Sequence, residues 1–213
     1  MHYLLFNYST KKYPFAPILE RQVFRVPRLS RLHRYLRATR ERKRIDKPLC
    51  HGDNLALRRH MQEQPEESLL YQTYFRFVYH FIAPRFQGKI SYSHHPKMRV
   101  HLSETKSVSG WHRDADVTKR PEQLTVWLPF TDCDDTNTLW IESDYGKKDF
   151  RPVKVDYGQV LVFDGGYLEH GTVANTTDRT RVSLDFRFCS TRETLPPLAR
   201  RLLDRRPGHL PRL

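Results

Sequence analysis

Residues 110–115 read Gly-Trp-His-Arg-Asp-Ala, and two ligand-type side chains, His112 and Asp114, stand two apart within them. In an extended strand, positions i and i+2 point to the same side, so both can reach one ion. A third donor, His170 in Leu168-Glu-His-Gly-Thr172, follows 56 residues after Asp114 on another candidate strand. Two imidazoles and one carboxylate suit Fe(II) and leave positions open for a chelating cosubstrate and O2. Arg181 stands eleven residues beyond His170, with Ser183 on the same face of its strand. A guanidinium fork beside a hydroxyl suits the distal carboxylate of a dicarboxylic acid. An H-x-D alone, in a chain with 11 histidines, is more often chance or packing. Four features in order on a β frame favour a site.

The elements that must position these groups follow from periodicity. From Gly88 to about Cys189 apolar residues recur with period two. The expected strands are Lys89–Tyr92, Met98–Ser103, Gln123–Phe130, Thr138–Glu142, Val153–Val155, Gln159–Phe163, Leu168–Val173 and Thr180–Cys189. Short strands parted by Gly, Pro, Asp and Asn turns, with no helices between them, indicate a sandwich or barrel. Three of them split cleanly into two faces. Val182, Leu184, Phe186 and Phe188 oppose Arg181, Ser183, Asp185 and Arg187; Leu124, Val126, Leu128 and Phe130 oppose Gln123, Thr125 and Trp127; Met98, Val100 and Leu102 oppose Arg99, His101 and Ser103. Period two shows only that the faces differ. The polar set is read as a cavity lining, with Arg99, His101, Thr125 and Trp127 as further candidates to meet the cosubstrate or the substrate.

Upstream, residues 1–28 should be extended, with room for an added strand. Leu29, Leu32, Tyr35 and Leu36 predict a helix over about 29–44, and a wider apolar face from Leu69 to Phe81 predicts another from Pro65 to Ile82, stopped by Pro84. A short helix is expected at Leu198–Asp204. The division expected is a basic extension with a helix (1–60), a β domain with its packed helix (61–190) and a basic, Pro-containing tail (191–213).

The chain has 213 residues and a net charge of +13. Residues 21–60 carry 13 Lys/Arg against 3 Asp/Glu and residues 192–213 carry 6 against 2, so the middle is nearly neutral. The arginines recur every three residues from Arg25 to Arg40. They read as a solvated face rather than a duplex-binding stripe. The three cysteines, Cys50, Cys133 and Cys189, form neither a disulfide framework nor a CxxC knuckle. No apolar run is long enough to span a bilayer, and Met1-His-Tyr-Leu-Leu-Phe lacks the build of a secretory leader, so a cytoplasmic, membrane-free protein is expected. His94-His95, His51, His60 and His80 show no partners at ligand spacing and read as surface residues. Asp132–Asn137 lacks the glycine and glutamate of a calcium loop and reads as a turn, as does Gly165-Gly166. Cys133 reads as inert.

The stretches Lys97-Met-Arg-Val-His-Leu, Trp111-His-Arg-Asp-Ala-Asp, Trp127-Leu-Pro-Phe-Thr-Asp, Asn137-Thr-Leu-Trp-Ile-Glu-Ser, Phe163-Asp-Gly-Gly-Tyr-Leu-Glu-His-Gly and Asn175-Thr-Thr-Asp-Arg-Thr-Arg-Val-Ser-Leu-Asp-Phe-Arg resemble the Fe(II)/2-oxoglutarate-dependent oxygenases. Within these, they resemble the phytanoyl-hydroxylase-like group and its streptomycin-biosynthesis StrG-type members. The resemblance covers about half the chain, from Phe77 to Phe188. It implies a double-stranded β-helix (jelly roll), His112, Asp114 and His170 on Fe(II), Arg181 and Ser183 on 2-oxoglutarate as cosubstrate, and O2 as oxidant. The family pattern has Tyr-Gly-His after the H-x-D and Asn after the distal His-Gly. Here those places read Asp116-Val-Thr-Lys and Thr172, so substrate identity is not inherited. The expected activity is oxidation of a small polar molecule, such as a sugar, aminosugar or amino-acid derivative, in secondary metabolism. Two alternatives remain. The Arg181-x5-Arg187 spacing matches AlkB-type demethylases acting on nucleic acid, but no second AlkB feature accompanies it; a jelly-roll binding module would have no need of a cosubstrate clamp. Oligomeric state is unassigned.

Overall fold

The computed structural model describes residues 3–86 and 90–189. Strands β1 (Tyr3–Asn7), β2 (Ser91–Tyr92), β3 (Lys97–His101), β4 (Leu124–Pro129), β7 (Gln159–Phe163) and β9 (Arg181–Cys189) form a six-stranded antiparallel sheet in the order β1-β7-β4-β9-β2, with β3 also on β9. Strands β5 (Trp140–Ile141), β6 (Arg151–Pro152) and β8 (His170–Gly171) make a small second sheet in the order β6-β5-β8. The architecture is mainly β, with helices concentrated before residue 90.

The alternation read from β3, β4 and β9 is what the large sheet uses. Met98, Val100, Val126, Leu128, Val182, Leu184, Phe186 and Phe188 join a core shared with the helices. These helices are α1 (Phe15–Ile18), α2 (Leu32–Arg42), α3 (His51–Gln62) and α4 (Leu69–Phe77). Phe77 stacks on Phe81 at 4.9 Å and Phe15 on Phe130 at 4.9 Å. Each ring so buried contributes about 1.5–3 kcal/mol. The opposite face carries Trp127, Leu161 and Phe163, which pack with Leu139, Ile141 and Leu168 from around the small sheet.

Several expectations change. The helix over 65–82 starts later, because Ser68 caps it by accepting a hydrogen bond from Tyr71 N, and Pro65–Glu67 form a preceding turn. Its second half, Val78–Ile82, is a π turn, and Pro84 continues into the short helix α5 (Ala83–Arg85) instead of stopping the chain. The π turn just before it already widens the helical ladder, which accommodates the proline's missing N–H without ending the helix. Helix α3 was not foreseen; its stripe is thin, and Asn54 rather than a leucine anchors it to β3 through Leu102 N. The small-sheet strands are shorter than expected. Val153–Val155 is not a strand; pairing falls on Arg151–Pro152, while Val155 makes a lone bridge to Cys133. Asp135–Asn137 is a 3-10 turn and Gly165-Gly166 a plain turn, as expected. The helix expected at Leu198–Asp204 lies outside the described residues. No described helix is long and apolar enough to cross a membrane.

Candidate functional site

His112 and His170 face each other across an isolated antiparallel bridge, with backbone N–H···O bonds of 3.0 Å in both directions. The bridge sets the two rings side by side, centroids 4.5 Å apart. Each ring commits Nδ1 to a backbone carbonyl, His112 to Gly110 at 2.8 Å and His170 to Leu168 at 2.9 Å. With Nδ1–H donating, each Nε2 keeps a free lone pair. Both lone pairs meet the Asp114 carboxylate: Oδ1 lies 3.6 Å from His112 Nε2 and 4.0 Å from His170 Nε2. The three donors form a cluster of the kind that holds a metal ion.

The route to this geometry differs from the sequence expectation in one respect. His112 and Asp114 do not share a strand. Asp114 opens the short helix α6 (Asp114–Thr118), its N–H bonded to Gly165 O at 2.7 Å, and only Arg113 between them is extended. One extended residue suffices to bring both side chains to the same side. Gly165 is required for close approach, not for turn conformation. A Cβ there would lie inside van der Waals contact of Thr125 Oγ1 and 2.8 Å from Asp114 Oδ2.

Asp114 is buried and held from both oxygens. Thr125 Oγ1 donates to Oδ2 at 2.5 Å, and Arg187 Nη2 donates to Oδ1. Burial acts to raise its pKa, but the surrounding imidazoles and the Arg187 guanidinium outweigh it, so the carboxyl sits well below the ordinary range. Burial pushes His170 down to about 4, which keeps it neutral. The carboxylate pulls half-buried His112 upward. Arg187 continues through Asp185, with Nη1 to Oδ2 at 2.7 Å, to Arg99, whose Nε lies 3.1 Å from Asp185 Oδ1. Buried charges in alternating sign compensate one another's desolvation.

Arg181 is almost wholly buried, 2 % exposed, yet has no carboxylate partner among the described residues. Its Nη1 donates to the carbonyls of Asn137 and Thr138, and its Nε has no hydrogen-bond partner among the described residues. Burial draws its pKa down only to about 10, so it remains charged at neutral pH. Trp127 lies beside it, 5.8 Å from guanidinium to ring. Ser183 Oγ, next along the same face, is also buried and unpartnered. An unpaired buried guanidinium costs several kcal/mol in solvation. The arrangement suits an anion carried in from solution.

The cavity beside the triad is lined by His112 and His170 together with Arg99, Thr125, Trp127 and Arg181, all expected from sequence. Thr172, flagged where the family pattern has Asn, lines it too, as do Ser109, Leu139 and Phe163, which were not foreseen. Thr172, where the family pattern has Asn, ties its Oγ1 to Ser109 N at 3.0 Å and so fixes the rim ahead of His112.

His101 does not line the cavity. It sits opposite Arg181 in the β3–β9 register, fully buried, with neither ring nitrogen in a hydrogen bond of normal geometry, although backbone groups of Thr105 and Lys106 lie near. Burial, with Arg181 adding to it, lowers its pKa to about 3. Between pH 6.5 and 3 the unfolded chain therefore binds a proton that the folded chain refuses, so stability should fall as pH falls through that window. One such proton removes up to about 1.4 kcal/mol per pH unit. Urea melts of wild type and His101→Leu from pH 7 to 4 should show a flatter dependence in the variant; parallel curves would clear His101 of this role.

No known family profile matches the chain. It is 44 % identical over 92 residues to the streptomycin biosynthesis protein StrG of Streptomyces griseus, a match spanning 43 % of either chain. The chain thus matches less than half the length of this curated relative. Among solved structures it is similar to AviO1 from Streptomyces viridochromogenes (TM-score 0.48, 17 % identity, 64 % of this chain and 66 % of that one). It is also similar to the epimerase SnoN in complex with Fe3+, alpha ketoglutarate and nogalamycin RO (TM-score 0.44, 17 % identity, 66 % and 68 %).

Proposed function

We propose that this chain is an Fe(II)/2-oxoglutarate-dependent oxygenase of double-stranded β-helix type acting on a small polar molecule in secondary metabolism. The observation that carries the reading is the convergence of the His112 and His170 Nε2 atoms on Asp114 Oδ1, each ring having spent its other nitrogen on a carbonyl. The identity with StrG supports the biosynthetic setting.

The donor set fits iron, and the unpartnered Arg181 Nε and Ser183 Oγ fit a carboxylate. In this reading His112, Asp114 and His170 hold the metal, and Arg181 with Ser183 holds the distal carboxylate of 2-oxoglutarate. When bound, the two supply O2 activation coupled to decarboxylation of the cosubstrate to succinate. The remaining work belongs to side chains. Thr125 and Arg187 stop the Asp114 carboxylate from rotating. The carbonyls of Gly110 and Leu168 fix both imidazoles in the ligating tautomer. Trp127, beside Arg181, gives the cavity an apolar wall together with Leu139 and Phe163, and a low-dielectric wall strengthens charge pairing there. Arg99, Thr172 and Ser109 stand where substrate hydroxyls or carboxylates can be oriented.

A screen of succinate formation with aminosugars, amino acids and methylated oligonucleotides, at low and physiological salt, tests the assignment. Coupled turnover is expected with a small molecule and should survive added salt. Turnover only on an oligonucleotide, lost as salt rises, would transfer the chemistry to nucleic acid. No succinate in any arm, coupled or uncoupled, would reject the oxygenase reading.

Gly165→Ala is a second check. Overpacking of this kind costs about 1–3 kcal/mol and displaces Asp114 or Thr125. A tenfold or greater loss of Fe(II) affinity is expected by anaerobic titration, with the fold retained by circular dichroism; wild-type affinity would show that the carboxylate position is not critical.

A further inference from the structure

We infer that Glu66, His94 and His95 form a second metal site, for a zinc-class divalent cation, outside the triad. The sequence offers no ligand spacing here, because the carboxylate comes from 28 residues upstream of His94. The fold brings them together: Glu66 Oε1 lies 3.2 Å from His94 Nε2 and 3.1 Å from His95 Nε2, and the three donor atoms all fall within 4.8 Å of one another. Donors about 2.0–2.1 Å from a tetrahedral zinc are separated by about 3.3 Å, close to what the carboxylate already keeps with each imidazole. Two imidazoles and a carboxylate select Zn2+, Co2+ or Ni2+ over Ca2+ or Mg2+, which prefer all-oxygen sites. Such a site leaves one position to water.

The side chains are exposed, but their supports are not loose. Ser93 O accepts from Tyr74 Oη at 2.5 Å and Pro96 O accepts from Gln62 Nε2 at 3.0 Å, which pins the chain on both sides of the histidine pair. His94 stacks on Phe75 at 4.7 Å and 24°, and His95 meets the edge of Tyr71 at 5.8 Å. Glu66 is anchored through its carbonyl, which accepts from Gln72 Nε2 at 3.0 Å. Surface histidines that merely solvate a face have no need of rings held by aromatic neighbours and backbone held at both ends. A bound cation would tie the turn ahead of α4 to the loop that leads into β3, and thereby to the strand bearing Arg99.

Zn2+ and Co2+ titrations of His112→Ala/His170→Ala, in which the triad is disabled, test the site directly. One equivalent of metal should bind with micromolar or better affinity, Co2+ should show visible d–d bands, and the melting temperature should rise with Zn2+. Adding Glu66→Gln or His94→Ala should weaken binding at least tenfold and remove the bands, while the metal-free melting temperature changes little. Should the triad-disabled protein fold poorly, stoichiometry decides: two equivalents in the wild type against one in His94→Ala. No binding in the triad-disabled protein, or binding unchanged by Glu66→Gln and His94→Ala (an adventitious ion only), would overturn the inference. Neither result bears on the oxygenase reading, whose Fe(II) titration uses different residues.

Discussion

Asp114→Ala is expected to lower Fe(II) affinity by more than a hundredfold and to abolish succinate formation. The carboxylate is the only charged donor of the triad, and it is the group on which both imidazole lone pairs converge. Its removal acts on stability as well. Arg187 would lose one of its two carboxylate partners in a buried setting, and breaking a buried ion pair from one side costs about 3–5 kcal/mol. The metal measurement must therefore be made well below the variant's melting temperature. Asp114→Asn separates the two effects, since it preserves volume and a polar contact for Thr125. It should regain part of the stability and none of the turnover. Full metal affinity in Asp114→Asn would remove Asp114 from the ligand set.

Arg181→Lys is expected to raise the apparent Kd for 2-oxoglutarate about 10- to 100-fold while leaving Fe(II) affinity within a few-fold of wild type. Lysine keeps the charge, but it gives up the planar fork and the bonds from Nη1 to the carbonyls of Asn137 and Thr138. A charge-assisted hydrogen bond is worth about 1.5–3 kcal/mol, which sets the range. Isothermal titration of the iron-loaded, oxygen-free protein measures both constants. Unchanged 2-oxoglutarate binding would place the anchor elsewhere, and Arg99 would be examined first, because it lines the same cavity.

The sheet and the site were legible in the sequence to different depths. Alternation in β3, β4 and β9 marked which side chains face the core, because a period of two has only two outcomes and the apolar set was unbroken. It could not show that Arg187 turns to Asp114, nor that Asp185 reaches back to Arg99, since those contacts join side chains far apart in the chain. The His112–Asp114 pair was readable for its spacing, although the backbone that delivers it is a lone bridge and a helix start. His101 looked equivalent to Arg99 by alternation and is not, because its place opposite Arg181 is sealed. Helix α3 was hidden for the reason that its docking runs through Asn54, a polar contact invisible to a hydrophobic pattern. The arginines of 25–40 illustrate the same limit. Arg34 and Arg37 pair with Asp178 and Glu104, both distant in sequence, and Arg40 with Asp53 on the following helix.

The most direct measurement is anaerobic addition of 2-oxoglutarate to the Fe(II)-loaded protein, followed by visible absorption. A keto acid chelating ferrous iron through its keto and carboxylate oxygens gives a metal-to-ligand charge-transfer band. One equivalent of each should produce that band in the wild type. It should be missing in His170→Ala and should require higher cosubstrate concentrations in Arg181→Lys. No band from wild-type protein that demonstrably holds one Fe(II), or a full band in His170→Ala, would contradict the assignment of His112, Asp114, His170 and Arg181 to a single iron and 2-oxoglutarate centre.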